Sequence, residues 1–517
     1  MKGKLASVLS LFLALSLATP CFALSDVSFR LLGMGKGLAG IVDDEYTDFN
    51  LFPALVVDMK GTTLFTNLGN LGEPVQTLDQ NLDSAEYDFA NERATNVVGL
   101  VTELANGKAG FLYEHGAYDF TANASSEGKY IGTTWTDTYQ YQYKDTESGS
   151  LSDLSAFYGL TLGNGVKIGA RMGQVNAKHG ETWEWGYSGD EQGTGYHDTY
   201  RYLNLSDGSD SASTLRLEVG AQLASGDWTI DLSGKLLSEK AETEYVDKYS
   251  WDETWLTDEY WNYLYSDEYS YTANLPTYGL MGRASKPATL FGQDAVVRLF
   301  AGATTGSGSI DGSDLYKYNN SDSSGYKYLY TYEHDLSGDI SANTYTLGGG
   351  YQVALGEETT LGLGLKALSG KSKTIWKQGG GVATVDDNGT KTVIEHNDPQ
   401  ETTVESEYLQ VSIPVGLEHR LTDRLTLRLG SEAFLVNKEN YSIKWKGTDA
   451  PNTVNGTQLP GDVYEYSEEY SGESSNTKAV YTAGIGYRLS DNIQLDAVHV
   501  TNLVDLRNWL ISATIKF

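Results

Sequence analysis

The chain is poor in cysteine, proline, positive charge and uninterrupted apolar stretches. One cysteine, Cys21, occurs in 517 residues, and it falls inside an N-terminal leader. The mature chain therefore has neither a disulfide framework nor thiol chemistry. Beyond that leader no apolar run reaches the about 18 residues a membrane-spanning helix needs. The 7 histidines are scattered and none shows metal-ligand spacing. No catalytic constellation of carboxylate, His or Ser groups stands out either, so the sequence predicts a protein that is not an enzyme. Basic residues number 37 against 69 acidic ones, a net charge of −32, and −34 once Lys2 and Lys4 leave with the leader. Such a field repels nucleic acid and anionic head groups, which excludes both as partners.

What is present points to strands and turns. There are 57 Gly and 36 Tyr but only 9 Pro, at a mean hydropathy of −0.36. Aromatics at 12% and regular alternation separate the chain from acidic disorder. Lys2 and Lys4 precede the apolar run 5–17, and Pro20-Cys21-Phe22-Ala23 supplies small residues for cleavage after Ala23. Residues 1–23 are thus read as a signal peptide.

At the other end Trp509, Ile511, Ala513, Ile515 and Phe517 alternate with mostly polar residues. Period-two alternation puts one side-chain set on each face of a strand. A final strand that ends on an exposed aromatic suits a barrel, where it closes against the first and leaves no edge in lipid. This ending resembles the C-terminal signal by which outer-membrane barrels are recognised. The resemblance implies outer-membrane lipid and the barrel-assembly machinery as partners, and the outer membrane of a diderm bacterium as the location.

Strand pairs recur between the two ends with one short and one long connection. Asn96–Leu104 and Ala109–Tyr118 meet at Asn106-Gly107, and 154–162 and 166–176 meet at Gly163-Asn164-Gly165. Pairs at 214–223/227–238, 278–286/294–304, 343–354/359–368, 408–420/424–436 and 479–488/493–500 follow the same rhythm. With a first strand near Val57–Asn67 and the final one, the pattern predicts an all-β transmembrane antiparallel barrel of about 16 strands (14–18). The expected organisation is a signal peptide at 1–23, an N-terminal luminal segment at 24–54 and the barrel at 55–517. Runs such as Leu425, Leu427, Leu429 against Thr426, Arg428, Gly430 have the 9–11 residues a tilted strand needs to cross a bilayer. Eight of the ten tryptophans fall in the long connections.

The inward polar set carries Lys167, Arg171, Arg216, Arg283, Arg298, Lys366 and Arg428 on six strands, opposed by Glu114, Glu218, Asp231, Glu418, Glu432 and Asp496. Two readings stand. Unpaired, these cations ring a pore and give it a mild preference for anions; paired, they line a wet interior without selecting. The long connections are acidic and aromatic, with Trp251, Trp255 and Trp261 as candidate ligand residues, and Tyr139–Lys144 and Tyr326–Tyr332 alternate Tyr with polar residues, which extends strands well above the membrane. Flat rings beside carboxylates suit glycans or a protein partner, acidic clusters suit calcium, and a bare hairpin crown suits neither. Asp386-Asp387-Asn388-Gly389 reads as a plain turn.

Before the first strand, Gly33, Gly35, Gly37, Ala39 and Gly40 precede the pair Asp43-Asp44, and Asn50-Leu-Phe-Pro53-Ala54 follows. This stretch resembles the opening of the FadL-type outer-membrane transport family, in which it folds inward as a plug. Leu51 and Phe52, inserted between Asn50 and Pro53, depart from that pattern, as does a polar rather than oily inward set. The resemblance implies a porin-like transport barrel, closed or gated by residues 24–54, that passes a small solute. The other expectation is a surface structural or adhesive barrel that acts through its loops.

Overall fold

A computed structural model describes residues 27–70, 96–132, 135–193, 196–254, 260–499 and 510–517. The leader with Cys21, together with Trp255 and Trp509, lies outside them. Among the described residues twenty strands form one sheet: β1 (Thr63–Asn70), β2 (Asn96–Leu104), β3 (Gly107–Ile131), β4 (Trp135–Thr161), β5 (Lys167–Gly193), β6 (Tyr196–Ser225), β7 (Trp228–Thr254), β8 (Tyr260–Leu290), β9 (Gln293–Asp322), β10 (Lys327–Leu355), β11 (Thr359–Gln378), β12 (Val382–Asp387), β13 (Thr390–Asn397), β14 (Gln400–Arg420), β15 (Leu425–Val454), β16 (Thr457–Gln458), β17 (Tyr464–Ser475), β18 (Lys478–Ser490), β19 (Ile493–His499) and β20 (Leu510–Lys516).

Sixteen of these strands close a ring. Antiparallel pairing runs in order from β1 to β11 and on through β14, β15, β18, β19 and β20. The ring shuts where Thr63 pairs Lys516 and the Phe517 N–H donates to the Thr62 carbonyl at 2.8 Å. Closure leaves no unpaired edge, the condition for a sheet in hydrocarbon. The β12–β13 hairpin turns at Asn388 and Gly389, whose φ of 50° and 86° suit a tight two-residue turn. It extends the sheet beside β10 and β15, and β16–β17 extends it beside β15.

Alternation sorts the two faces as the sequence predicts. Leu280, Leu347, Met172, Leu215, Val219 and Leu365 point outward and are 54–74% exposed. Their neighbours Arg171, Glu218, Asp231, Arg283, Arg298 and Arg428 point inward and are buried. The outward set stays apolar for about 10 residues from each short turn, enough for the ~25 Å apolar band of such barrels. It then changes to residues such as Lys178, Lys240, Lys371 and Glu407.

Two expectations shift. The segment Pro53–Asp58 is a buried 3-10 helix and the first strand begins only at Thr63, so residues 55–62 belong with the N-terminal segment. The first short turn falls at Ala105-Asn106, with Ala105 at φ 54°, one residue before the expected position. The extension of strands above the membrane is as the alternation at Tyr139–Lys144 and Tyr326–Tyr332 predicts: β3 to β11, β14 and β15 run 20–31 residues. Their Tyr/polar alternation continues the strand period, so the sheet rises into a crown above the belt. Trp135, Trp183, Trp185, Trp251, Trp261, Trp376 and Trp445 all sit on these extensions.

Inside the crown, Ala241, Tyr271, Ala273, Leu275, Ile310 and Ile340 form a dry cluster with Trp376 against Tyr271 at 4.9 Å. Glu239, just above the belt and 7% exposed, is pushed up to about 7 by burial. A carboxyl raised in the folded state stabilises fully below its unfolded pKa, near 4.3, and loses that contribution as pH rises through about 7. Glu239→Gln is therefore expected to leave the unfolding midpoint unchanged at pH ~4 and to raise stability by at most about 3 kcal/mol at pH ~8. Urea unfolding of the detergent-solubilised protein at both pH values checks this. An equal effect at the two values contradicts it.

Candidate functional site

The N-terminal segment is built by local capping. The Ser28 hydroxyl accepts from the Leu31 N–H at 3.0 Å and starts the helix Phe29–Met34. It also donates to Asp44 at 2.7 Å, and Asp44 in turn accepts from the Thr47 N–H at 2.9 Å to cap the helix Glu45–Leu51. Gly35 and Gly40 turn the chain between these helices at φ 109° and 80°, where a side chain would be strained.

Strands on every side of the ring touch this segment. The first helix packs on β14, β15, β18 and β19, and Pro53–Asp58 packs on β3 to β6. Glycines of the wall make the approach possible. A Cβ at Gly416 or Gly430 would lie 2.2 or 2.4 Å from the Met34 carbonyl oxygen, and one at Gly169 would lie 2.4 Å from that of Pro53. Leu31, Leu32, Met34, Leu38 and Ile41 form one apolar cluster; Phe49, Phe52 and Val56 join Val97, Val101, Leu112 and Phe157 in a second.

Charge fixes the rest. Arg30 grips Glu418 with two donors at 2.9 and 2.8 Å, and Glu418 also accepts from Arg428 Nε at 2.7 Å. Arg428 continues to Asp496 at 2.6 Å. Arg283 donates to Asp48 of the segment and, at 2.8 Å, to Asp231 of β7, with its guanidinium 4.8 Å from the Phe52 ring. Arg298 bonds Asp43 and the Ile41 carbonyl; Lys167 meets Asp58 at 2.7 Å and Lys516 meets Glu45 at 3.2 Å. Arg171 and Arg216 share Asp153 at 3.6 and 3.4 Å.

Six of the seven expected pore-lining cations are thus paired, and Lys366 sits half-buried on β11 with an interaction of its own. The picture of a ring of uncompensated positive charge is corrected: six of the seven meet a carboxylate of the wall or of the segment. Asp43 and Asp44 of the segment bind as described. Asn50 donates to the Tyr46 carbonyl, while its own oxygen is buried without a partner among the described residues. Sequence reasoning missed Arg30, Asp48, Asp58 and the wall glycines. Arg30 carried one signal, a cation set beside a run of glycine and apolar residues.

Below the segment, a cavity of about 1040 Å³ opens at the short-turn end, lined by Arg30, Asp44, Glu358, Arg420, Arg488 and Lys516 among others. In the crown, Trp251 and Trp261 lie on β7 and β8, 45% and 50% exposed. Ile511 and Ile515 face outward on β20, and Phe517 ends it 76% exposed. Among the described residues no group of three or more His, Cys, Asp or Glu is placed to hold a metal ion.

No family model matches the chain, and no curated protein matches its sequence. Similar solved structures include the ferric-catecholate import receptor Fiu from E. coli K12 in its open form, at TM-score 0.25 and 8% identity over 89% of this chain and 82% of that one. A mutant of the ferric enterobactin receptor PfeA from Pseudomonas aeruginosa gives 0.22 and 9% over 88% and 80%. The copper transporter OprC gives 0.24 and 9% over 88% and 80%. At such TM-scores the likeness carries no argument of its own. The barrel rests on its closed ring of pairings and its apolar outer belt. The likeness of residues 30–54 to the FadL-type family is one of sequence.

Proposed function

We propose that the chain is an uptake barrel of a diderm outer membrane, a passive channel for small solutes in which residues 27–58 form a luminal plug that gates the passage. One observation carries this reading: the segment meets the wall through separable charge pairs on five sides, Arg30–Glu418, Asp43–Arg298, Asp48–Arg283, Asp58–Lys167 and Glu45–Lys516. Such pairs can be exchanged for water or for a solute at modest net cost, because Coulomb energy and desolvation nearly cancel. Since the wall cations are paired, the field at the constriction does not favour anions.

Solute flux tests the proposal. Vesicles carrying the intact chain are expected to admit small neutral solutes slowly. Arg283→Gln combined with Arg298→Gln, which unlatches Asp48 and Asp43, is expected to speed entry several-fold. Absence of flux from both forms, with the barrel folded by circular dichroism, would remove the uptake reading. A surface structural protein acting through its crown would then stand, as the dry cluster around Tyr271 and Trp376 favours.

A further inference from the structure

The crown keeps its Lys and Arg to the outer face, while carboxylates lie on both. From β4 to β10 the pairing registers keep strict alternation, so the inward set follows from the outward leucines. Above the belt, no Lys or Arg of these seven strands projects inward among the described residues. Lys144, Lys178, Arg201, Lys240, Lys248 and Lys317 all point out. The inward positions hold Tyr, Trp, small and aliphatic residues, carboxylates including Asp145, Glu181, Asp210, Glu239 and Asp247, and two histidines set against carboxylates, His179 by Glu147 and His334 by Asp314.

Seven inward rings, one from each strand, touch in sequence across this wall. Tyr141 meets Trp185 at 5.9 Å, Trp185 meets Tyr202 at 4.4 Å and Tyr202 meets Tyr249 at 4.6 Å between centroids. Tyr249, Tyr263, Tyr318 and Tyr328 continue the arc at 5.4, 4.9 and 5.8 Å. Every contact is edge-on, between 61° and 89°, and every ring is half-buried. Asn204 and Asn320 sit within the arc with side-chain oxygens that are buried and unpartnered among the described residues. Such acceptors are stable when a donor reaches them. Burial holds the carboxyl of Asp247, two residues below Tyr249 on the same face, above the usual range.

We propose that this arc is a binding strip for organic cations, solutes carrying ammonium or guanidinium groups, at the outer entrance of the barrel. The inference rests on the uptake reading and gives it a substrate class. Ring faces attract a cation through their quadrupole, and the facing carboxylates supply the opposite charge. An inner wall of one sign concentrates ions of the other. The orphaned Asn204 and Asn320 oxygens accept the N–H donors that such a solute brings. Anions are repelled by the same wall, which reverses the selectivity that an unpaired basic ring would have given.

Spermidine is the probe, added to the full-length protein in detergent, with fluorescence of Trp185 and Trp251 as the readout. Saturable quenching that weakens with salt is expected. Asp247→Asn and Tyr249→Ala should each weaken binding about tenfold, whereas Tyr249→Phe, which keeps the ring, should stay near the parent. Circular dichroism and heat-modified mobility show whether each variant is folded. Absence of quenching, or affinity unchanged in the folded Asp247→Asn and Tyr249→Phe proteins together with Tyr249→Ala, overturns the inference. So does tighter binding of maltohexaose or citrate than of spermidine. Spermidine bound without solute flux would retain this site and remove uptake; flux without spermidine binding would do the reverse.

Discussion

Deleting residues 27–58 from the mature chain is expected to raise single-channel conductance in planar bilayers roughly tenfold or more, because a ring of this strand number encloses an aqueous channel when nothing fills it. The segment contributes the apolar side chains of both clusters beneath the crown, from Leu31 and Met34 to Phe49, Phe52 and Val56. Its removal also frees Arg283, Arg298 and Lys167 from Asp48, Asp43 and Asp58, so the widened pore acquires basic groups in its wall. The shortened barrel should still show heat-modified mobility on gels, since the ring closes through β1 and β20 and not through the segment. A folded barrel with unchanged conductance would sink the prediction. It would mean that the cluster around Tyr271, Ile310 and Ile340, in the crown, is what blocks the path.

Arg283→Met is expected to cost about 3–5 kcal/mol of stability, the range for breaking a buried pair by removing one partner. Arg283 is 5% exposed and lies between Asp48 and Asp231, themselves 9% and 1% exposed. Without it two carboxylates face one another across an apolar surface that includes Phe52, and only Gln222 still donates to Asp231, at 2.7 Å. Methionine keeps most of the volume, so the loss is electrostatic rather than a cavity. The double change Arg283→Met with Asp231→Asn should then recover a large part of the loss, since it removes one of the stranded charges. Denaturant unfolding in detergent micelles, followed by tryptophan fluorescence, measures both. Equal stabilities for the single and double variants would show that Arg283 acts through packing alone.

Much of the fold was legible because a strand in a barrel repeats every two residues and nothing overrides that period. Leu425, Leu427 and Leu429 declared the lipid face of β15 and Arg428 its inner face, and β15 has that orientation. Turn chemistry told almost as much: Asn388-Gly389 turned where expected, and the first short turn missed by one residue because Ala105 takes the left-handed position. Strand length was not legible. In the crown, stretches such as Tyr139–Lys144 lose their apolar set but keep the alternation, which told that the strands rise above the belt and not how far each one runs. Val57 misled in the opposite sense, since an apolar run after Pro53 serves a buried 3-10 turn as well as a strand.

The candidate site was legible as a set of residue types, not as a set of contacts. The sequence placed Arg283, Arg298 and Arg428 inward, but whether they stood free or paired depended on groups as distant as Asp48, 235 positions from Arg283, and Arg30, 388 from Glu418. The wall glycines 416 and 430 had no signal at all, because a glycine in a strand reads as a weak position until a carbonyl is seen against it. By itself the sequence determined period, parity and closure, which are local properties of the backbone and its alternating side chains. The tertiary structure decided which charges meet, how far the sheet rises and where the aromatic rings join, because those depend on strands far apart in sequence being brought side by side in one register.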